Sequence, residues 1–106
     1  MYEYKAKIVK IIDGDTFYAD VDLGFYVTLR TKFRLYKVNT PELRTPEGKK
    51  VKQFVKKLLE QEEVILLTKK DRKGKYGRWL AEVLLDNGEY LSEILLEKNY
   101  AVPYKK

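Results

Sequence analysis

Three stretches of the chain carry side chains that could act on a phosphodiester: Asp13-Gly14-Asp15-Thr16, Phe33 through Glu42, and Lys75-Tyr76-Gly77-Arg78. Hydrolysing such a bond needs an aligned, partly deprotonated water, positive charge at the equatorial oxygens and a stabilised leaving oxygen. The chain has no histidine and no cysteine. That excludes imidazole or thiol catalysis, the usual zinc ligand sets and a disulfide framework. A carboxylate is then the natural base, and Glu42, on a turn braced by Pro41, is the candidate. Arg34 and Arg78 can each offer phosphate oxygens a bidentate fork, a geometry lysine cannot match. Asp15 supplies a hard oxygen ligand for a divalent cation; Asn39 could add its amide oxygen and Thr40 its backbone carbonyl. Oxygen donors of this kind suit calcium, magnesium or manganese. Each residue also has a plainer explanation. Asp13 and Gly14 could simply turn a hairpin, and Arg34 could make a surface salt bridge. Turning does not require Asp15.

The elements that would position these groups are readable from periodicity. Tyr4 to Ile12 is rich in β-branched residues and reads as a strand, broken by Asp13-Gly14-Asp15. Thr16 to Asp22 resumes it, with Phe17, Ala19 and Val21 inward, and Gly24 marks the next bend. From Tyr26 to Tyr36 the alternation is clean, placing Val27, Leu29, Thr31, Phe33 and Leu35 on one face and Arg34 on the other. Thr45-Pro46-Glu47 is a helix start: cap, proline at the first helical position, and an acid near the positive dipole end. Val51, Phe54, Val55, Leu58 and Leu59 then form one apolar stripe, with a lysine-rich face opposite. Glu63 to Thr68 is a continuous apolar run, expected to be a strand covered on both sides. Lys69 to Arg78 is the most basic loop. Trp79, Ala81, Val83 and Leu85 share another strand face, and Asp86-Asn87-Gly88 turns the chain. Leu91, Ile94 and Leu95 line a short second helix that Asn99 ends in a left-handed conformation. Val102 to Lys106 reads as a tail. The order of elements predicts an α+β protein, mainly β: a five-stranded Greek-key barrel of the OB type with two packed helices.

Composition sets the outer limits. At 106 residues with 44% hydrophobic content, the sequence is expected to form one domain, 1–106, with a modest core. The net charge of +6 favours a polyanionic partner such as nucleic acid, although lysine excess also serves solubility alone. No apolar run approaches the roughly 18 residues of a membrane span, so no membrane partner is expected. Met1-Tyr2-Glu3 begins no signal peptide. The protein would be secreted if a signal had been removed and cytoplasmic otherwise. A high charged fraction, with few Asn, Gln and Met, is also compatible with heat stability.

Taken together, Ile12-Asp13-Gly14-Asp15-Thr16, Phe33-Arg34-Leu35 with Val38-Asn39-Thr40-Pro41-Glu42, and Lys75-Tyr76-Gly77-Arg78 with Leu80-Ala81 resemble the staphylococcal nuclease (thermonuclease-like) family. The motifs occur in family order, and the similarity runs from about Lys7 to Ala101. The resemblance implies an OB barrel with helices packed on it. It also implies a calcium-dependent endo- and exonuclease that acts on DNA and RNA, single-stranded or frayed, leaves 3′-phosphates and works as a monomer with one ion. Asp15 matches the family's metal-binding aspartate, and Thr40 the threonine whose carbonyl ligates the ion. Glu42 matches the general base, Arg34 and Arg78 the catalytic arginines, and Lys75 and Tyr76 the groups that contact a terminal phosphate.

This chain departs from the family pattern at several points. Asn39 stands where the type member has a second metal-ligating aspartate, and Asp13 could compensate from behind. Gly74 replaces a usually acidic residue. The loop from Glu42 to the first helix is shorter, the third helix of the type member is absent, and Tyr104 matches its base-stacking tyrosines only loosely. A non-catalytic nucleic-acid-binding module of the same fold is the alternative reading. The joint presence of Arg34, Glu42 and Arg78 counts against it.

Overall fold

A computed structural model describes residues 1–70 and 79–104. Five strands close into a barrel in the order β1-β2-β3-β6-β5. They are β1 (Tyr2–Asp13), β2 (Thr16–Asp22), β3 (Thr28–Leu35), β5 (Glu63–Lys70) and β6 (Trp79–Leu84). All neighbours are antiparallel except β3 and β6, which pair in parallel over Phe33–Leu35 and Trp79–Ala81. This is the expected closed barrel of the OB type, and closure leaves few strand edges unpaired.

The inward-facing positions make the core. Ile8, Ile11, Phe17, Leu35, Leu66 and Val83 are essentially inaccessible, and each such large side chain contributes about 1.5–3 kcal/mol by leaving water. Phe17 and Phe33 stack across β2 and β3 with ring centroids 5.7 Å apart. The Ile8-Val9-Ile11-Ile12 run is not a plain alternation because register shifts fall between Ile8 and Lys10 and between Ile11 and Asp13. The first of these puts both Ile8 and Ile11 inside although they are an odd number of residues apart. The strand also begins earlier than periodicity predicts, at Tyr2.

Helix α1 (Pro46–Leu59) lies against β1. Thr45 caps it as expected, its hydroxyl accepting from Gly48 N–H at 3.0 Å, and Val51, Val55 and Leu59 are buried. Gln61, at φ 68°, turns the chain out of the helix and donates its N–H to the Ile8 carbonyl at 2.7 Å. Helix α2 (Leu91–Glu97) buries Leu91 and Leu95 and is followed by Asn99 at φ 60°, the left-handed end read from the sequence. No helix among the described residues is long and apolar enough to cross a membrane.

Three sequence expectations are corrected. Tyr26 and Val27 do not begin β3. Gly24, Phe25 and Tyr26 all have positive φ (81°, 53° and 61°), so the chain makes a left-handed turn there and the strand starts at Thr28. β5 is not fully covered on both faces: Val64, Leu66 and Thr68 are buried, whereas Ile65 and Leu67 are half-buried. The tail is not merely a tail. β7 (Val102–Pro103) pairs with β4 (Val38–Asn39) in a second small sheet, a contact between distant segments that local periodicity cannot register.

One polar contact ties α2 to the barrel. The buried Ser92 hydroxyl donates to Glu82 Oε1 at 2.6 Å. Burial pushes the Glu82 carboxyl above its usual range, opposed by hydrogen bonds from Ser92 and by the charge of Lys37. An acid whose folded pKa is raised favours folding below its unfolded pKa and loses that contribution as pH rises through the folded value. Glu82→Gln keeps an acceptor for Ser92 and removes the ionisation. Thermal melts are therefore expected to show the variant at least as stable as the parent at neutral pH, with the difference vanishing near pH 4.

Candidate active site

The β2–β3 register sets Thr16 opposite Arg34, and Leu35 N–H donates to the Asp15 carbonyl at 2.7 Å. Asp15 and Arg34 thus meet at the end of the barrel where β1 turns into β2. Arg34 Nη2 lies 3.6 Å from Asp15 Oδ2, and both side chains are nearly buried at 11% and 12% exposure. A close approach makes this turn possible. A β-carbon on Gly14 would stand 2.7 Å from Val51 Cγ1 and 2.8 Å from Thr40 Oγ1.

Lys37, at φ 73°, carries the chain from β3 into β4 and brings Asn39 and Thr40 back over the same corner. Thr40 N–H donates to Asp15 Oδ2 at 3.1 Å, and the Thr16 hydroxyl donates to Asp15 Oδ1 at 3.1 Å. Arg34 is held on several sides. Its Nη1 donates to the Leu35 carbonyl at 3.0 Å, its Nη2 donates to Asn39 Oδ1, and its guanidinium carbon lies 4.7 Å from the Tyr104 ring centre. β7 fixes that tyrosine, whose N–H donates to the Lys37 carbonyl at 2.7 Å. By resemblance, Tyr104 matches the type member's base-stacking tyrosines only loosely. Its place over Arg34 depends on the β4–β7 pairing and leaves no local signal.

Asp13 and Asp15 are unequal. Burial alone would raise the Asp15 carboxyl. A hydrogen bond with Asp13, the Thr40 N–H, the Arg34 charge and the Thr16 hydroxyl together outweigh it and hold Asp15 below the usual carboxylate range. Asp13 is pushed upward, first by burial and then by its hydrogen bond and charge repulsion with Asp15. Its Oδ1 accepts the Asp15 N–H at 3.0 Å, so it braces the turn from behind. The donors gathered here are oxygens, from Asp15 with Asp13 behind it, Asn39 and Thr40. Oxygen donors of this kind fit a hard divalent cation, whose charge would also relieve the repulsion between the two acids. Asn39 Oδ1 is turned toward Arg34, and no group of three or more acidic, histidine or cysteine side chains among the described residues is placed to hold a metal ion.

Glu42 follows two residues after Thr40. Its backbone is locked into the start of α1: its carbonyl accepts from the Thr45 hydroxyl at 2.7 Å and from Thr45 N–H at 3.0 Å. Gly48 lies so close beneath that a β-carbon there would overlap the same carbonyl. The carboxylate itself is solvent-facing and pairs with Arg44 Nε at 2.6 Å. An ion pair this exposed is worth at most about 1 kcal/mol, so it does not commit Glu42 to that partner. The Arg44 contact was not anticipated, although the Glu-x-Arg spacing carries a hint of it. Asp15, Arg34, Asn39 and Thr40 are therefore brought together, with Glu42 on the adjoining turn. Lys75, Tyr76 and Arg78 lie outside the described residues.

A closed, mixed five-stranded barrel with two helices and this polar corner defines a protein of the OB-like α+β class. The family model described as staphylococcal nuclease homologue matches residues 32–106, and the chain belongs to that family. A thermonuclease of Staphylococcus hyicus is 33% identical over 93% of this chain and 59% of its own length. An uncharacterized protein of Methanocaldococcus jannaschii is also 33% identical, over 95% of this chain and 59% of its own. An endonuclease of Bacillus subtilis is 28% identical over 96% of this chain but only 9% of its own length. The chain thus spans less than two thirds of these curated relatives, about 59% of two of them and 9% of the third. Two of these relatives are named as nucleases.

Proposed function

We propose that this protein is a calcium-dependent nuclease that hydrolyses phosphodiesters of DNA and RNA, preferring single-stranded or frayed substrate and leaving 3′-phosphates. The observation that carries the reading is the contact of a nearly buried, ionised Asp15 with Arg34 at one corner of the barrel, under the Asn39-Thr40 turn. Asp15 and the Thr40 carbonyl would hold the cation, Asn39 could add its amide oxygen, and Asp13 would support Asp15. When bound, the ion supplies positive charge to the phosphate oxygens; magnesium or manganese could replace calcium. Arg34 presents its fork to the equatorial oxygens, aimed by Tyr104, Asn39 and the Leu35 carbonyl. Arg78 is the second guanidinium, and Lys75 and Tyr76 take a terminal phosphate. Glu42, turned away from Arg44, accepts the proton of the attacking water. Substrate phosphate takes the place of Asn39 and Asp15 at Arg34, replacing their contacts with a bidentate, charge-assisted pair.

The reading is tested by incubating single-stranded DNA with purified protein in calcium and then adding chelator. Cleavage that chelator stops is expected. Binding without cleavage across calcium, manganese and magnesium would instead mark a non-catalytic module. In the same assay Asn39→Asp, which adds a formal charge at the cation, is expected to lower the calcium needed for half-maximal rate by roughly tenfold. An unchanged requirement would remove Asn39 from the cation's surroundings.

A further inference from the structure

At the other end of the barrel two ribbons part. Thr28–Lys32 of β3 pair with β2 alone, and Tyr2–Lys5 of β1 pair with β5 alone. Between them lies a cleft of about 210 Å³, lined by inward-facing residues that include Tyr2, Leu29, Thr68 and Trp79 and by no charged side chain. The β2–β3 ribbon projects beyond it and ends in the left-handed turn. There Phe25 is 97% exposed and Tyr26 is entirely exposed, with Leu23 and Val27 also open to solvent. The turn is held by Val27 N–H to the Gly24 carbonyl at 2.8 Å and Leu23 N–H to the Val27 carbonyl at 2.9 Å.

Neither feature is explained by folding. Two successive bulky aromatics at positive φ cost on the order of 1 kcal/mol each relative to glycine, and Asn or Gly would relieve that strain. Full exposure of both rings adds no burial in return. Aromatic faces held open beside an apolar cleft suit flat, unpaired bases. A cation borders it: exposed Lys70, on the same face of β5 as cleft-lining Thr68, pairs with cleft-lining Trp79. The chain's charge of +6 favours a polyanion over a neutral partner.

We infer that the cleft and the Phe25-Tyr26 lip form a base-stacking subsite for single-stranded nucleic acid at the end of the barrel opposite the phosphodiester site; the inference rests on the nuclease reading for its ligand class. Trp79 is the chain's single tryptophan, so its fluorescence reports directly on the cleft. The probes are a short oligothymidylate and an abasic oligonucleotide with the same number of phosphates, titrated in chelator so that neither is cut. Oligothymidylate is expected to quench Trp79 saturably and the abasic strand to do so weakly. The double variant Phe25→Asn/Tyr26→Asn is expected to bind oligothymidylate about tenfold more weakly. It should melt no lower than the parent, because asparagine suits the left-handed turn, whereas a structural role for the rings would lower the melt. Hydrolysis of a small chromogenic thymidine phosphodiester should be unchanged. Equal quenching by both strands would overturn the inference. So would unaltered oligothymidylate affinity in a double variant that has lost either self-association in sedimentation or binding to anionic vesicles; those results would assign the lip to a second copy or to lipid. A parent that hydrolyses neither substrate yet shows base-dependent quenching sinks the nuclease reading and leaves the subsite standing.

Discussion

Arg34→Ala is expected to slow phosphodiester cleavage on the order of a thousandfold in kcat, the scale seen when a preorganised charge donor to a developing oxyanion is removed. The side chain is nearly buried and meets a carboxylate, an amide oxygen, a carbonyl and an aromatic face. Such a setting fixes the fork before substrate arrives. Arg34→Lys keeps the charge but neither the planar fork nor the stack on Tyr104, so it should recover little of the rate. Neither change removes apolar burial from the core, and far-UV circular dichroism should be indistinguishable from the parent. A lysine variant with near-parental kcat would show that charge alone suffices there.

Glu42→Gln is expected to cost a comparable amount, about a hundred- to ten-thousandfold, because general-base assistance falls in that range and no histidine can substitute. The backbone of residue 42 is held by Thr45 and packed over Gly48 whatever the side chain, so the variant should melt with the parent. Arg44→Ala separates the two explanations of this corner. Freed of its exposed partner, Glu42 should work as well as before or slightly better, with any loss of rate under threefold, in keeping with the small worth of such pairs. A tenfold loss in Arg44→Ala would instead place that guanidinium in the site and Glu42 behind it. Steady-state rates on one oligonucleotide decide between them.

What could be read from the sequence was local. The Thr45-Pro46 cap, the α1 stripe, the Asn99 terminus and the outward parity of Arg34 each depend on residues within a turn or two, and each stands in the structure. The barrel followed from the order of strands and helix. The departures came from contacts and backbone states that spacing does not encode. Bulges in β1 reset which isoleucines face inward. Positive φ at Phe25 and Tyr26 turned an apparently clean alternation into a projecting loop, since bulky side chains rarely signal that conformation. Tyr104 reached Arg34 only because β7 crosses to β4. At the site itself, the motifs placed Asp15, Arg34 and Thr40 together. They did not foretell that Asn39 would face the arginine or that Glu42 would greet solvent beside Arg44.

We propose that Asp15, Thr40 and Arg34 form one site for a cation and a phosphate together. Calorimetric titration of a nucleoside bisphosphate, with and without calcium, addresses it directly. One ion and one nucleotide per chain should bind with positive coupling, each tightening the other by the same factor, as linkage requires. Asp15→Asn should abolish the coupling, and Arg34→Ala should weaken the nucleotide while sparing the ion. Nucleotide affinity that is indifferent to calcium, or coupling that survives Asp15→Asn, would contradict the account.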